Sequence, residues 1–154
     1  PTYKRAAPSL GERVDRWQEF EYVVPGNIMQ WSGALNVGLN AMENRDQSSG
    51  FSLRLFHGLT PETESTCFYF WSTANGYRQD EPKATEELFN EISIAFNEDK
   101  QIVEAQQKTL EATGETRLVD IVSDAARVHM RRAVNRIIAD EQTASDNGQA
   151  KELA

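Results

Sequence analysis

Phe51-Ser52-Leu53-Arg54-Leu55-Phe56-His57 decides the fold class. Side chains of an extended chain alternate between two sides. Phe51, Leu53, Leu55 and His57 therefore share one face, and Ser52, Arg54 and Phe56 the other. A strand with one apolar face needs paired neighbours, and the flanking sequence supplies them. Residues 17–24 alternate loosely and are rich in aromatic and β-branched types, as a strand is. Pro25-Gly26-Asn27 signals a turn, and residues 28–37 read as a second strand. A polar loop covers 40–50, with Asn44, Asp46, Ser48 and Ser49. After the Phe51 strand, Thr60-Pro61-Glu62-Thr63 is a turn. Residues 66–73 form an aromatic strand that includes Phe68, Tyr69, Phe70 and Trp71. Four strands in meander order make an antiparallel sheet. Residues 1–15, polar and holding Pro1 and Pro8, are an extended lead-in.

The period then changes. Asp80-Glu81-Pro82 is a helix start, with proline in the first turn. A long helix is predicted to about Ala112, stopped by Thr113-Gly114. Leu118 to Ile121 is a short apolar piece, and Ser123 or Asp124 caps a second helix to about Glu141. Its stripe is Ala126, Met130, Ala133, Val134 and Ile137, at helical spacing. Residues 142–154 are expected to be a disordered tail, which leaves 1–141 as the domain. Strands followed by helices define an α+β class, an antiparallel sheet packed on helices.

The 154 residues suit about one domain. Hydrophobic residues at 39% and charged residues at 26% are ordinary for a globular domain with a sizeable core. A net charge of -8 argues against nucleic acid or an anionic membrane surface as the partner. No apolar run is long enough to span a membrane, and no signal peptide opens the chain. The single cysteine, Cys67, excludes an internal disulfide and fits a reducing cytoplasm. The chain opens on Pro1 rather than Met and so reads as a piece of a longer polypeptide. GxSxG, P-loop, GxGxxG and HExxH patterns are all absent.

One residue breaks the amphipathic pattern of the long helix. At about 100° per residue, Leu88, Ile92, Ala95, Phe96, Ile102 and Val103 form one arc, and Asp99 falls in the middle of it. Burying an unpartnered carboxylate costs several kcal/mol. Asp99 is therefore expected to be buried and protonated, bound to a metal, or paired with an arginine such as Arg54 or Arg132. The pattern weighs the metal site and the arginine pair about equally.

There are two histidines. His57 ends the apolar face of the Phe51 strand. By pattern it is a hydrogen-bonded core residue, or else a donor to a ligand held between sheet and helix. His129, beside Arg131 and Arg132, reads as structural or solvent-facing. His57, His129 and Asp99 would be a ligand set that suits iron(II), but the histidines lack the short spacing such sites use.

Three segments carry a family resemblance: Val14-Asp15-Arg16-Trp17; His57-Gly58-Leu59-Thr60-Pro61-Glu62-Thr63-Glu64 running into Cys67-Phe68-Tyr69-Phe70-Trp71; and Asn97-Glu98-Asp99-Lys100 with Ile102-Val103-Glu104-Ala105-Gln106. They resemble the C-terminal catalytic part of the Rieske non-haem iron oxygenases of the vanillate O-demethylase and dicamba monooxygenase type, over residues 12–140. The resemblance implies a helix-grip fold, an antiparallel sheet wrapped on a long helix. It implies that Asp99 is the carboxylate ligand of a mononuclear Fe(II). It implies that His57 faces the substrate, with Leu53, Leu55 and, on a looser match, Gln30 as further substrate-binding positions. It also implies a Rieske [2Fe–2S] cluster, O2, an NAD(P)H-dependent reductase or ferredoxin, an aromatic and carboxylated substrate, and a homotrimer. O-demethylation or ring hydroxylation would be the reaction.

The departures matter equally. The CxH and CxxH motifs of the Rieske cluster are missing, and so are the two histidine ligands of the iron. With one ligand of three, these residues alone are expected to bind no iron and to be inactive. The alternative is a metal-free helix-grip module that holds a small hydrophobic ligand.

Overall fold

In the computed structural model, which describes residues 7–40, 43, 50–114 and 119–152, the alternating segments pair as a meander. Strand β1 is Val14–Val23, β2 is Asn27–Asn36, β3 is Phe51–Pro61 and β4 is Cys67–Asn75. The sheet order is β1-β2-β3-β4, all antiparallel. Strands β1, β3 and β4 outlast their sequence-based bounds by two to four residues at one end, and β2 is shifted by one residue. The β3–β4 turn sits lower than expected, closed by Glu62 and Thr63 N–H donating to the Thr66 carbonyl. The loop expected over 40–50 lies, apart from its ends and Glu43, outside the described residues, as do residues 1–6 and Leu118.

Register decides which side chains face the helix. Ile28 pairs with His57, Gln30 with Leu55, Ser32 with Leu53 and Ala34 with Phe51. On the other side of β3, His57 pairs with Trp71 and Leu59 with Tyr69. One face of the sheet thus carries Ala34, Phe51, Leu53 and Leu55, and Leu88 of the helix closes over them as one buried cluster. The lead-in contributes more than its polarity suggests, because Ala7 and Leu10 join this cluster. On the opposite face Trp17 and Leu35 form a second small cluster. Gly33 is required there: a Cβ would fall 1.9 Å from the Trp17 ring. Phe68 and Phe70 also point to that side, stacked on each other and exposed.

Helix α1 spans Pro82–Thr113, with proline in its first turn. It ends where Gly114 takes φ 64°, a left-handed conformation that costs glycine little. Its start is fixed by Arg78, whose guanidinium makes two hydrogen bonds to the Glu81 carboxylate, and by Thr85 Oγ1 donating to Asn75 Oδ1 on β4. A 3-10 turn over Val122–Asp124 precedes α2, Ala125–Glu152. Asp124 accepts from the Ile121 N–H at 2.9 Å and so makes the cap. Helix α2 does not stop near Glu141, and the segment expected to be a disordered tail is helical through Glu152. That stretch has few apolar side chains but contains helix formers such as Gln142, Ala144, Gln149, Ala150 and Lys151, so local propensity suffices. The architecture is α+β, with an open sheet against a long helix in the helix-grip manner. No helix is long and apolar enough to cross a membrane, among the described residues.

Candidate functional site

Where α1 crosses the end of β3 and β4, polar and aromatic groups replace the aliphatic core. Phe96 of the helix is the keystone. Its ring centroid lies 5.7 Å from His57, 5.7 Å from Tyr69 and 5.2 Å from Trp71, the last pair edge-on. Phe89, two turns earlier, stacks on Trp71 at 5.1 Å. The rings of His57 and Tyr69 are nearly parallel, 7° apart, at 6.0 Å. These residues meet because alternate positions of β3 and β4 face α1 and because residues 89 and 96 lie two turns apart on one helix face.

A hydrogen-bonded row crosses the sheet on this face. Tyr69 Oη lies 2.6 Å from His57 Nδ1. His57 Nε2 lies 3.1 Å from Gln30 Oε1, and Gln30 Nε2 donates to Ser32 Oγ at 2.8 Å. Ser32 is buried, while Gln30 and His57 are half-buried. Burial lowers the His57 pKa below its ordinary 6.5, since a low-dielectric site disfavours the cation. Tyr69 is pushed up, first by burial and then by the negative charge of Asp99. The row therefore holds a neutral imidazole beside a protonated phenol.

Asp99 needs a correction. The expected buried acid is exposed, and so are Ile102 at 69% and Val103 at 62% beside it. The wheel identified an apolar arc correctly, but only its first half meets the sheet, through Leu88, Ile92 and Phe96. Past Phe96 the arc's apolar positions, Ile102 and Val103, face solvent. Among the described residues Asp99 forms no ion pair with Arg54 or Arg132. Its carboxylate does lie near enough to Tyr69 to act on the phenol, at the open end of the His57 row.

The other expected positions divide. Gln30 is brought onto His57. Leu53 and Leu55 lie on the same face but are core residues beneath Leu88. His129 is exposed on α2. Tyr69 is the residue that sequence reasoning missed as a partner of His57. Its signal was available, because Tyr69 and Trp71 have the alternation parity that faces the helix. A groove of about 600 Å³ lined by Ile138, Glu141, Gln142 and Ser145 is built wholly on α2 and shares no residue with this cluster.

The donor set does not make an iron site on its own. Among the described residues no three of His, Cys, Asp and Glu come together as metal ligands. Both nitrogens of His57 are engaged in hydrogen bonds. One exposed carboxylate is left, a suitable single ligand but too few donors to hold iron(II).

The sequence profile of the vanillate O-demethylase oxygenase C-terminal domain matches residues 1–140. The chain belongs to this family. The family's curated relatives are diverged but cover the chain widely. The vanillate O-demethylase oxygenase subunit of Pseudomonas sp. (strain HR199 / DSM 7063) is 31% identical over 133 residues, 86% of this chain and 37% of that protein. The putative toluene-4-sulfonate monooxygenase system iron-sulfur subunit of Comamonas testosteroni is 30% identical over 129 residues, 84% of this chain and 37% of that protein. The dicamba O-demethylase oxygenase component of Stenotrophomonas maltophilia is 29% identical, covering 80% of this chain and 36% of that protein. The chain thus spans little more than a third of the length of the curated relatives it matches. These relatives are named as oxygenase components or iron-sulfur subunits of larger systems. No solved structure matches the chain.

Proposed function

We propose that this chain is the catalytic-domain portion of a Rieske-type aromatic oxygenase, and that the sheet–helix crossing at His57 is where its substrate sits. The observation that carries this reading is the His57–Tyr69 pair on the sheet with Asp99 of α1 close enough to act on Tyr69, walled by Phe96 and Trp71. An aromatic ring suits that wall, because offset and edge-on ring contacts are favourable. A carboxylate or sulfonate suits the hydrogen-bond donors beside it. Two of the relatives are named for vanillate and toluene-4-sulfonate, both aromatic anions. Gln30 borders the polar end, and Leu53 and Leu55, covered by Leu88, extend the same face as apolar core beside it.

Asp99 supplies one ligand to a mononuclear Fe(II) in the intact protein, and two histidines outside these residues supply the others. Its exposure fits that role, since a ligand to a shared metal must face the rest of the site. The iron, when bound, supplies O2 activation, and a [2Fe–2S] centre fed by an NAD(P)H-dependent reductase or ferredoxin supplies electrons. O-demethylation or ring hydroxylation by a cytoplasmic homotrimer is the expected activity, and the chain alone is expected to be inactive. Asp99→Ala in the full-length protein tests this. Mononuclear iron should be lost while the [2Fe–2S] spectrum stays, and unchanged iron content and turnover would overturn the assignment. His57→Ala should mainly raise KM for an anionic aromatic substrate. An effect confined to stability would make His57 a packing residue.

A further inference from the structure

With the Gln30 amide oriented as it stands and a neutral imidazole, the row from Tyr69 to Ser32 has one consistent arrangement of protons. Gln30 commits its amide nitrogen to Ser32 Oγ, so the atom it turns toward His57 is Oε1, which can only accept. His57 Nε2 must therefore carry the hydrogen. In a neutral imidazole the other nitrogen is then an acceptor. Nδ1 takes its hydrogen bond from the Tyr69 phenol, 2.6 Å away. The lowered pKa of His57 and the raised pKa of Tyr69 agree with this assignment. Phe96 presses on both rings at 5.7 Å, which opposes rotation of the imidazole.

We propose that Tyr69 is a positioning residue that locks His57 in its Nε2–H form, and that a substrate's acceptor oxygen binds by replacing Gln30 Oε1 at that hydrogen. The inference rests on the substrate-binding role of His57 given above. Gln30 acts as a placeholder. Once displaced, its amide nitrogen keeps Ser32 as a partner, and Gln30 is only half-buried, so its freed Oε1 can turn to water. A neutral N–H recognises carboxylate, sulfonate or carbonyl oxygen without an ion pair, so the ligand class is an aromatic compound bearing an oxygen acceptor.

Long-range 1H–15N spectra of the full-length protein, its iron site filled with zinc to keep resonances sharp, read the arrangement directly. Protonated Nε2 and unprotonated Nδ1 are expected at neutral pH. The Nδ1–H form, or an imidazolium, overturns the proposal. Kinetics give a second readout. Tyr69→Phe keeps the stacked ring and removes the donor, and should raise KM for an anionic aromatic substrate roughly fivefold to tenfold with kcat little changed. His57→Gln, which can place an N–H near the Nε2 position, should retain most of the affinity, and His57→Asn should not. Rescue by asparagine and not by glutamine overturns the proposal. An unchanged KM in His57→Ala together with a protonated Nε2 would instead overturn the substrate role of His57, leaving the proton arrangement intact.

Discussion

Phe96→Ala tests whether one aromatic side chain fastens the long helix to the sheet. The ring touches three others, at centroid distances of 5.2, 5.7 and 5.7 Å. Aromatic pairs in this range contribute about 0.5–1.5 kcal/mol each beyond their area. Phe96 is only half-buried, so the loss falls below the roughly 3–5 kcal/mol seen for fully buried phenylalanine. The expected destabilisation is about 2 kcal/mol. With a urea slope of about 2 kcal/mol per molar, the unfolding midpoint should drop by about 1 M. Urea titration followed by tryptophan fluorescence measures this, and Trp71, freed on one side, should shift its emission to the red. Phe96→Leu keeps volume and should recover about half the loss. A midpoint change below about 0.2 M for the alanine variant would refute the reasoning, because the rings would then be neighbours without being a fastening.

Gly33→Ala drives a methyl into the buried Trp17 ring. It should cost about 1–3 kcal/mol, visible as a Tm lowered by several degrees, and an unchanged melt would count against the close approach. Stability should also depend on pH through His57. Its folded pKa is depressed by burial below 6.5, so the unfolded chain takes up the proton first as pH falls. The contribution is complete above about pH 6.5 and is lost as pH falls through the folded value. His57→Gln should flatten that part of a stability–pH profile, and a profile identical to the wild type would remove His57 as its source.

The alternation at 51–57 was enough to orient β3, and the shift to helical period after Pro82 was enough to place α1. Both signals are local, since strand parity and helix capping are written within a few residues. Gly114 was equally readable, because a left-handed C-cap asks for glycine. Asp99 shows where locality ends. A helical wheel reports which residues share a face, but what covers that face depends on chain elsewhere. The arc from Phe96 to Val103 continues beyond the reach of this sheet. Tyr69 was hidden for a different reason. Finding its contact with His57 requires the register of β3 on β4, and that depends on a turn that lies a few residues past its sequence signal. The helical end of α2 went unread because its polarity suggested disorder, although polarity does not oppose a helix made of good formers.

Every strand of the sheet pairs only with its neighbour in sequence. Closing a loop costs entropy that grows slowly with its length, and here the β1–β2 and β3–β4 connections are short turns. Only the β2–β3 connection, residues 37–50, is long. The two hairpins can therefore form independently and early, each bringing in few distant partners, with the docking of one on the other as the slower event. The tyrosine and its histidine belong to the same hairpin, whereas Gln30 belongs to the other. Half of the polar row can thus be assembled within one hairpin, and the contact of His57 with Gln30 that completes it requires the two hairpins to have met.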